Sequence, residues 1–168
     1  MNPLAELVGL DPALVTSTVH RLRERGETVA TAESLTGGLV CAVLTGVPGS
    51  SAVVRGGLVV YATELKASLA GVNGRALSEY GAVHPVIAGE LARGARDRCG
   101  ATWGIGLTGV AGPDLQDGVR PGTVHIGLAG PGPGALRSLQ VGGGRHAIRS
   151  AAVAGALGLL REAIYSRS

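Results

Sequence analysis

The sequence predicts an α/β layered domain on a mixed, largely parallel sheet. Three observations predict it. Helical and strand-like stretches mostly alternate along the chain, and such alternation builds parallel strands joined by helical crossovers. The last two strands are separated only by the Gly/Pro stretch AGPGPGA at 129–135, which suits a hairpin and an antiparallel segment. The 168 residues are the size of one domain, and neither a linker nor an internal repeat divides them, so residues 1–168 are read as a single unit.

Each element has its own signal. Asp11-Pro12 reads as an N-cap and a proline at the first helical position, followed by Val15, Val19 and Leu22 at helical spacing and a stop at Gly26. Thr28–Ala32 is a short β-type segment. TAESLTGG (31–38) then leads into the small-residue helix LVCAVLTG, ending near Gly46. VPGSSAVVRGG (47–57) reads as a loop, Leu58–Tyr61 as a strand, and Thr63 as the cap of a helix through Leu69. Arg75–Tyr80 is a short helix, and Pro85 opens another through about Cys99. Thr102–Leu107 is a strand running into TGVAGP, followed by the turn-rich loop DLQDGVRPG. Thr123–Leu128 and Leu136–Val141 form the hairpin, and His146–Ile164 a long final helix.

Composition narrows the function. Hydrophobic residues make up 45% of the chain, yet there is no Phe, one Trp and three Tyr, so the core is packed from Ala, Val, Leu and Ile. No run is long and apolar enough to span a membrane. MNPLAELVGLDP lacks the basic start of a signal peptide, which makes a cytoplasmic protein the expectation. Cys41 and Cys99 lie far apart without metal-ligand spacing, and no acidic cluster has such spacing, so neither metal nor cofactor is expected. The net charge of +3 is scattered, and with so few aromatics to stack on bases nucleic acid is a poor fit. An anionic small ligand suits the same charge.

In α/β sheets ligands gather beyond the carboxyl ends of the strands. Three loops belong there: TAESLTGG, the VVYATELK corner at 59–66, and TGVAGP at 108–113. In the first, Ser34 leaves a strand just before Gly37 and Gly38, a geometry that exposes a hydroxyl near backbone N–H groups. The pattern is neither GxSxG nor a phosphate-binding P-loop, and an ordinary turn and cap fit it as well. A nucleophilic serine needs a base. His20, His84, His125 and His146 all fall in contexts away from the loops. Lys66 falls close to them, and it is the only lysine: of the 15 Lys and Arg residues, 14 are arginine. Arginine cannot lose its proton in a protein, whereas a buried lysine at a helix start can; a chance surface lysine explains the count alone as well. Tyr61, at the neighbouring strand end, is placed to relay a proton or to orient the dyad, or else is a rim aromatic. TGVAGP offers Thr108 and the backbone of Gly109. GGGRHAIR (142–149) offers Arg145 and Arg149, four apart on one helical face, for an anion or for solvent. Glu33 either holds the loop or touches a ligand.

Taken in order, TAESLTGGL, PGSSAVVRGGLVVYATELKASLAGV, YGAVHP, TGVAGPD, PGTVHIGLA and GGGRHAIR make the sequence resemble the C-terminal domain of the competence/damage-inducible CinA proteins. This domain also occurs as the stand-alone nicotinamide-nucleotide amidases of the PncC type. The resemblance covers about Thr28 to the final helix. It implies a three-layer α/β/α sandwich that self-associates as a homo-oligomer. It also implies hydrolysis of the carboxamide of nicotinamide mononucleotide to nicotinic acid mononucleotide and ammonia. By the same resemblance Ser34 is the nucleophile, Lys66 and Tyr61 activate it, Arg145 contacts a substrate anion, and Thr108, Gly37, Gly38 and Gly109 border the substrate. Three departures stand out. Leu35 replaces a frequent Cys, Ala62-Thr63 replaces a usual Ser-Asn, and VRPGTV is one residue shorter than the common KPVGTV. A second reading, a nucleotide-binding or competence-associated regulatory module without turnover, rests on the same glycine loops and Arg145.

Overall fold

The computed structural model describes residues 1–167. A five-stranded mixed sheet lies between two helical layers, giving the α/β/α sandwich. The strands are β1 (Val29–Glu33), β2 (Val54–Val59), β3 (Trp103–Gly109), β4 (Thr123–Ala129) and β5 (Ala135–Gln140), in the spatial order β2-β1-β3-β4-β5. β1 runs parallel to both β2 and β3, while β4 runs antiparallel to both β3 and β5. The sheet is therefore parallel in one half and antiparallel in the other.

One layer contains α1 (Pro3–Leu7), α2 (Pro12–Glu24), α3 (Leu39–Thr45) and α7 (Arg145–Ser166). The opposite layer is α6 (Pro85–Cys99), with α4 (Thr63–Ser68) and α5 (Gly74–Tyr80) beside it. The two faces of the sheet differ because residues alternate along each strand. Val29, Trp103, Ile105, Leu107, Val124, Ile126 and Leu128 fill the larger core with Leu44, Val153, Leu157 and Leu160. The α6 face instead carries Ala30, Ala32, Gly104, Gly106 and Gly127. A Cβ at Gly104 would strike the Ala92 carbonyl, and one at Gly106 or Gly127 that of Ala88. Bare backbone is what allows α6 to lie directly on β3 and β4.

Three segments differ from the sequence reading. β2 begins at Val54, inside a stretch expected to be loop, and ends before Tyr61. Gly56 and Gly57 signal a turn locally, but parallel pairing with Ala30 and Thr31 holds them in a strand. A side chain at Gly57 would collide with Thr31 and Cys41. Thr63 is the first residue of α4 rather than its cap. Ala62 occupies the cap position, and no side-chain bond is made there. The helix α1 has no counterpart in the sequence reading. It is capped by the side chain of Asn2, which also donates to the Val43 carbonyl. No helix among the described residues is long and apolar enough to cross a membrane.

Candidate active site

The carboxyl ends of β1, β2 and β3 lie side by side and deliver Ser34, Tyr61 and Gly109 to one edge of the sheet. Ser34 is the first residue off β1. Its N–H still bonds the Leu107 carbonyl at 3.1 Å, which continues the β1–β3 ladder. The chain then turns sharply. Gly37 N–H donates to the Ser34 carbonyl at 3.0 Å, and Gly37 and Gly38 take φ of 58° and 96°, a region that suits glycine. α3 follows at once.

Glu33 holds this turn from beneath. Its carboxylate is fully buried and accepts from Thr31 Oγ1 (3.0 Å), Thr36 Oγ1 (2.6 Å) and the N–H groups of Gly38 (3.2 Å), Val40 (3.1 Å) and Cys41 (2.9 Å). An acidic side chain from the strand thus caps α3 and complements its N-terminal dipole. Of the two roles open to Glu33, the loop-holding one has the contacts. The same contacts correct another expectation. The N–H groups of Gly37 and Gly38 are engaged within the protein, so these glycines shape the turn and do not face the cleft. The N–H groups of Leu35 and Thr36, by contrast, donate to no acceptor among the described residues.

Lys66 is 1% exposed and sits on the fourth residue of α4. Its Nζ lies 3.1 Å from Ser34 Oγ, 2.9 Å from the Val60 carbonyl and 3.3 Å from the Tyr61 carbonyl. No carboxylate pairs with it among the described residues. Burial lowers its pKa from 10.5 to about 8, against a smaller opposing pull from Glu64. The geometry also orients the amine. A carbonyl can only accept, so two N–H bonds are directed at Val60 and Tyr61. In the neutral amine the lone pair is then left facing the Ser34 hydroxyl.

A cleft of about 280 Å³ opens above this dyad, lined by Ser34, Leu35, Tyr61, Arg145 and the stretch from Gly109 to Gln116. Tyr61 is 59% exposed, and its hydroxyl accepts from Arg145 Nη2 at 3.0 Å. It meets Lys66 through its backbone carbonyl, not through the hydroxyl on which a proton relay would depend. Arg145 also donates to the Gly112 carbonyl at 2.7 Å. Arg149 turns to the opposite lip and donates to the carbonyls of Leu35 (2.9 Å) and Thr36 (3.2 Å). It binds the protein, not an anion. Thr108 does not reach the cleft. It is buried and donates to the Ala82 carbonyl at 2.6 Å, while its neighbour Gly109 lines the wall. Asp114 and Gln116 also line the wall, and their turn-rich surroundings gave no sequence signal for that.

The histidines lie elsewhere. His84 caps α6 through Nδ1 and stacks on Tyr80, while His125 Nδ1 is 2.7 Å from Ser138 Oγ. Burial first, and then the charge of His84, lowers the pKa of His125. A larger groove of about 500 Å³ between α6 and the β4–β5 hairpin contains no nucleophile paired with a base. No group of three or more His, Cys, Asp or Glu among the described residues could hold a metal ion.

Comparison with known proteins places this arrangement. Residues 11–164 match the model of the CinA C-terminal domain. A CinA-like protein from Frankia casuarinae is 48% identical over 156 residues, which is 93% of this chain and 36% of that protein. The chain thus spans about a third of the length of such curated relatives. The crystal structure of the competence/damage inducible protein CihA from Agrobacterium tumefaciens superposes with a TM-score of 0.87 at 35% identity, covering 92% of this chain and 94% of that one. A competence-damaged protein (CinA) superfamily structure from Escherichia coli gives 0.85 at 28% identity, covering 89% and 88%. With the family model spanning both the Ser34 loop and the turn of α7 that carries Arg145, the chain belongs to the CinA C-terminal domain family.

Proposed function

We propose that the domain is an amidohydrolase that cleaves the carboxamide of nicotinamide mononucleotide, with Ser34 as nucleophile and Lys66 as general base. The observation that carries this reading is the 3.1 Å contact between Lys66 Nζ and Ser34 Oγ, made by an amine whose other donors face carbonyls. Ser34 Oγ attacks the carboxamide carbon and its proton passes to Lys66. The N–H of Leu35, next to the nucleophile and without an acceptor among the described residues, stabilises the oxyanion. As the tetrahedral adduct collapses, the C–N bond breaks and Lys66 returns the proton to the departing ammonia. Water, deprotonated by Lys66, then hydrolyses the acyl-enzyme and frees Ser34. Arg145 lies across the cleft, where it suits a phosphate. Tyr61 contributes through two contacts, its carbonyl on Lys66 and its hydroxyl on Arg145.

Ammonia release from nicotinamide mononucleotide tests the reading. The wild-type chain releases ammonia, Ser34→Ala falls to background, and Lys66→Arg loses about 10²- to 10⁴-fold in kcat because guanidinium cannot accept the proton. Full activity in either variant would remove that residue from the mechanism. Calorimetric binding of the nucleotide by the wild-type chain, with no product after long incubation, would leave the non-catalytic binding module in its place.

A further inference from the structure

The turn that presents Ser34 is gripped from two directions. Glu33 takes the N–H groups on its α3 side, and Arg149 takes the carbonyls of Leu35 and Thr36 on its outer side. The second grip bears on Ser34 through peptide geometry. In a trans peptide the C=O of one residue and the N–H of the next point opposite ways in one plane. The plane whose carbonyl Arg149 holds at Thr36 ends in the Gly37 N–H, and that N–H closes the turn on the Ser34 carbonyl at 3.0 Å. The preceding plane, held at the Leu35 carbonyl, ends in the unengaged Thr36 N–H. Two successive planes are thus fixed by one guanidinium. Its planar fork suits two carbonyls better than the point charge of an ammonium would. Lys66 stands on another element, α4, so the Oγ–Nζ distance depends on where this turn is held.

We propose that Arg149 is a positioning residue: from α7 it holds the Ser34 turn in the register that keeps Ser34 Oγ within reach of Lys66 Nζ. This rests on the reading of Ser34 as nucleophile, but not on the identity of the substrate. The rate of Ser34 labelling by an alkyl fluorophosphonate, followed by intact mass of the full chain, reads it directly. In that step an Oγ–P bond forms, the P–F bond breaks, fluoride leaves and the hydroxyl proton passes to Lys66. Arg161 supplies the control, because it ties the same helix to α2 through the Leu14 carbonyl, Ser17 and Thr18, far from the turn.

Arg149→Ala slows labelling about 10- to 100-fold, and Arg149→Lys regains part of the rate. Arg161→Ala labels at the wild-type rate even where its melting temperature falls as far. Labelling of Arg149→Ala at the wild-type rate would overturn the proposal, and so would equal slowing in Arg161→Ala. If Arg149→Ala does not fold, Arg149→Lys and Arg149→Gln carry the same comparison. A wild-type chain that labels at Ser34 but releases no ammonia from the nucleotide defeats the proposed reaction and leaves the positioning role to the labelling rates. A wild-type chain that does not label at Ser34 defeats both.

Discussion

The two walls of the cleft are built on different principles. Ser34 on one wall is backed by Glu33, Thr36 and Lys66; all four are buried, and hydrogen bonds at named distances fix each of them. On the other, Tyr61, Pro113, Asp114, Leu115, Gln116 and Arg145 are exposed, and the side-chain ties are the Arg145 bonds to Tyr61 and Gly112. Burial does two things for the first wall. It lowers the pKa of an amine that water would keep charged, and it removes alternative partners for the hydroxyl. Exposure leaves the second wall able to adjust to a ligand at little cost. The contrast fits the proposed division, chemistry on the locked side and recognition on the open one, and substitutions can test it.

The largest effect is expected at Glu33. Glu33→Ala leaves its buried donors without an acceptor and lowers stability by on the order of 4 kcal/mol, read by urea denaturation. Glu33→Gln keeps one acceptor oxygen and loses less. A loss under about 1 kcal/mol for Glu33→Ala would mean that the wall is not locked in this way.

Lys66 gives the next effect, through pH. Its folded pKa of about 8 lies below its ordinary 10.5, so between these values the unfolded chain binds more protons than the folded one. Stability therefore rises with pH across that window, by roughly 3 kcal/mol in total, and Lys66→Met flattens the rise. In the proposed mechanism the neutral amine is the base, so kcat/KM is expected to climb with pH below about 8 and level off above it. A profile flat from pH 6 to 9 would separate Lys66 from the chemistry.

On the open wall the expected changes are smaller and of another kind. If Arg145 holds the substrate anion as proposed, Arg145→Ala raises KM about tenfold with kcat within about threefold, because a contact shared by ground and transition states is lost. A selective fall in kcat would place Arg145 with the locked wall instead. Asp114→Asn is the smallest case, changing stability by less than about 0.5 kcal/mol and KM by a factor of about two.

The sequence made the locked wall partly legible. Ser34 stood at a strand end before two glycines, and Lys66 was the lone amine among arginines, so both could be singled out without coordinates. The grip of Glu33 on α3 could not be read, because it depends on a strand residue reaching the N–H groups of residues 38 to 41. Arg149 stays open between an anion and solvent for the same reason: spacing reports which face of α7 it occupies, not what lies opposite. Thr108 misled because a threonine at a strand end can point to either side of the sheet, and here it points away from the cleft. In the fold, alternation predicted the layers. β2 was truncated because Gly56 and Gly57 have strand character only when paired with β1. The open wall left almost no trace, since Asp114 and Gln116 sit in a loop whose composition says only that it turns.

The bare face beneath α6 has a consequence beyond packing. Where side chains separate a helix from a sheet, their sizes set the gap, and compensating changes can retune it over time. Here main-chain atoms set it at Gly104, Gly106 and Gly127, with no intervening layer to exchange. The spacing on that side is a fixed gauge. Sequence drift that retunes a helix–sheet gap has more room on the opposite face, where Leu, Ile and Val side chains stand between the sheet and α7.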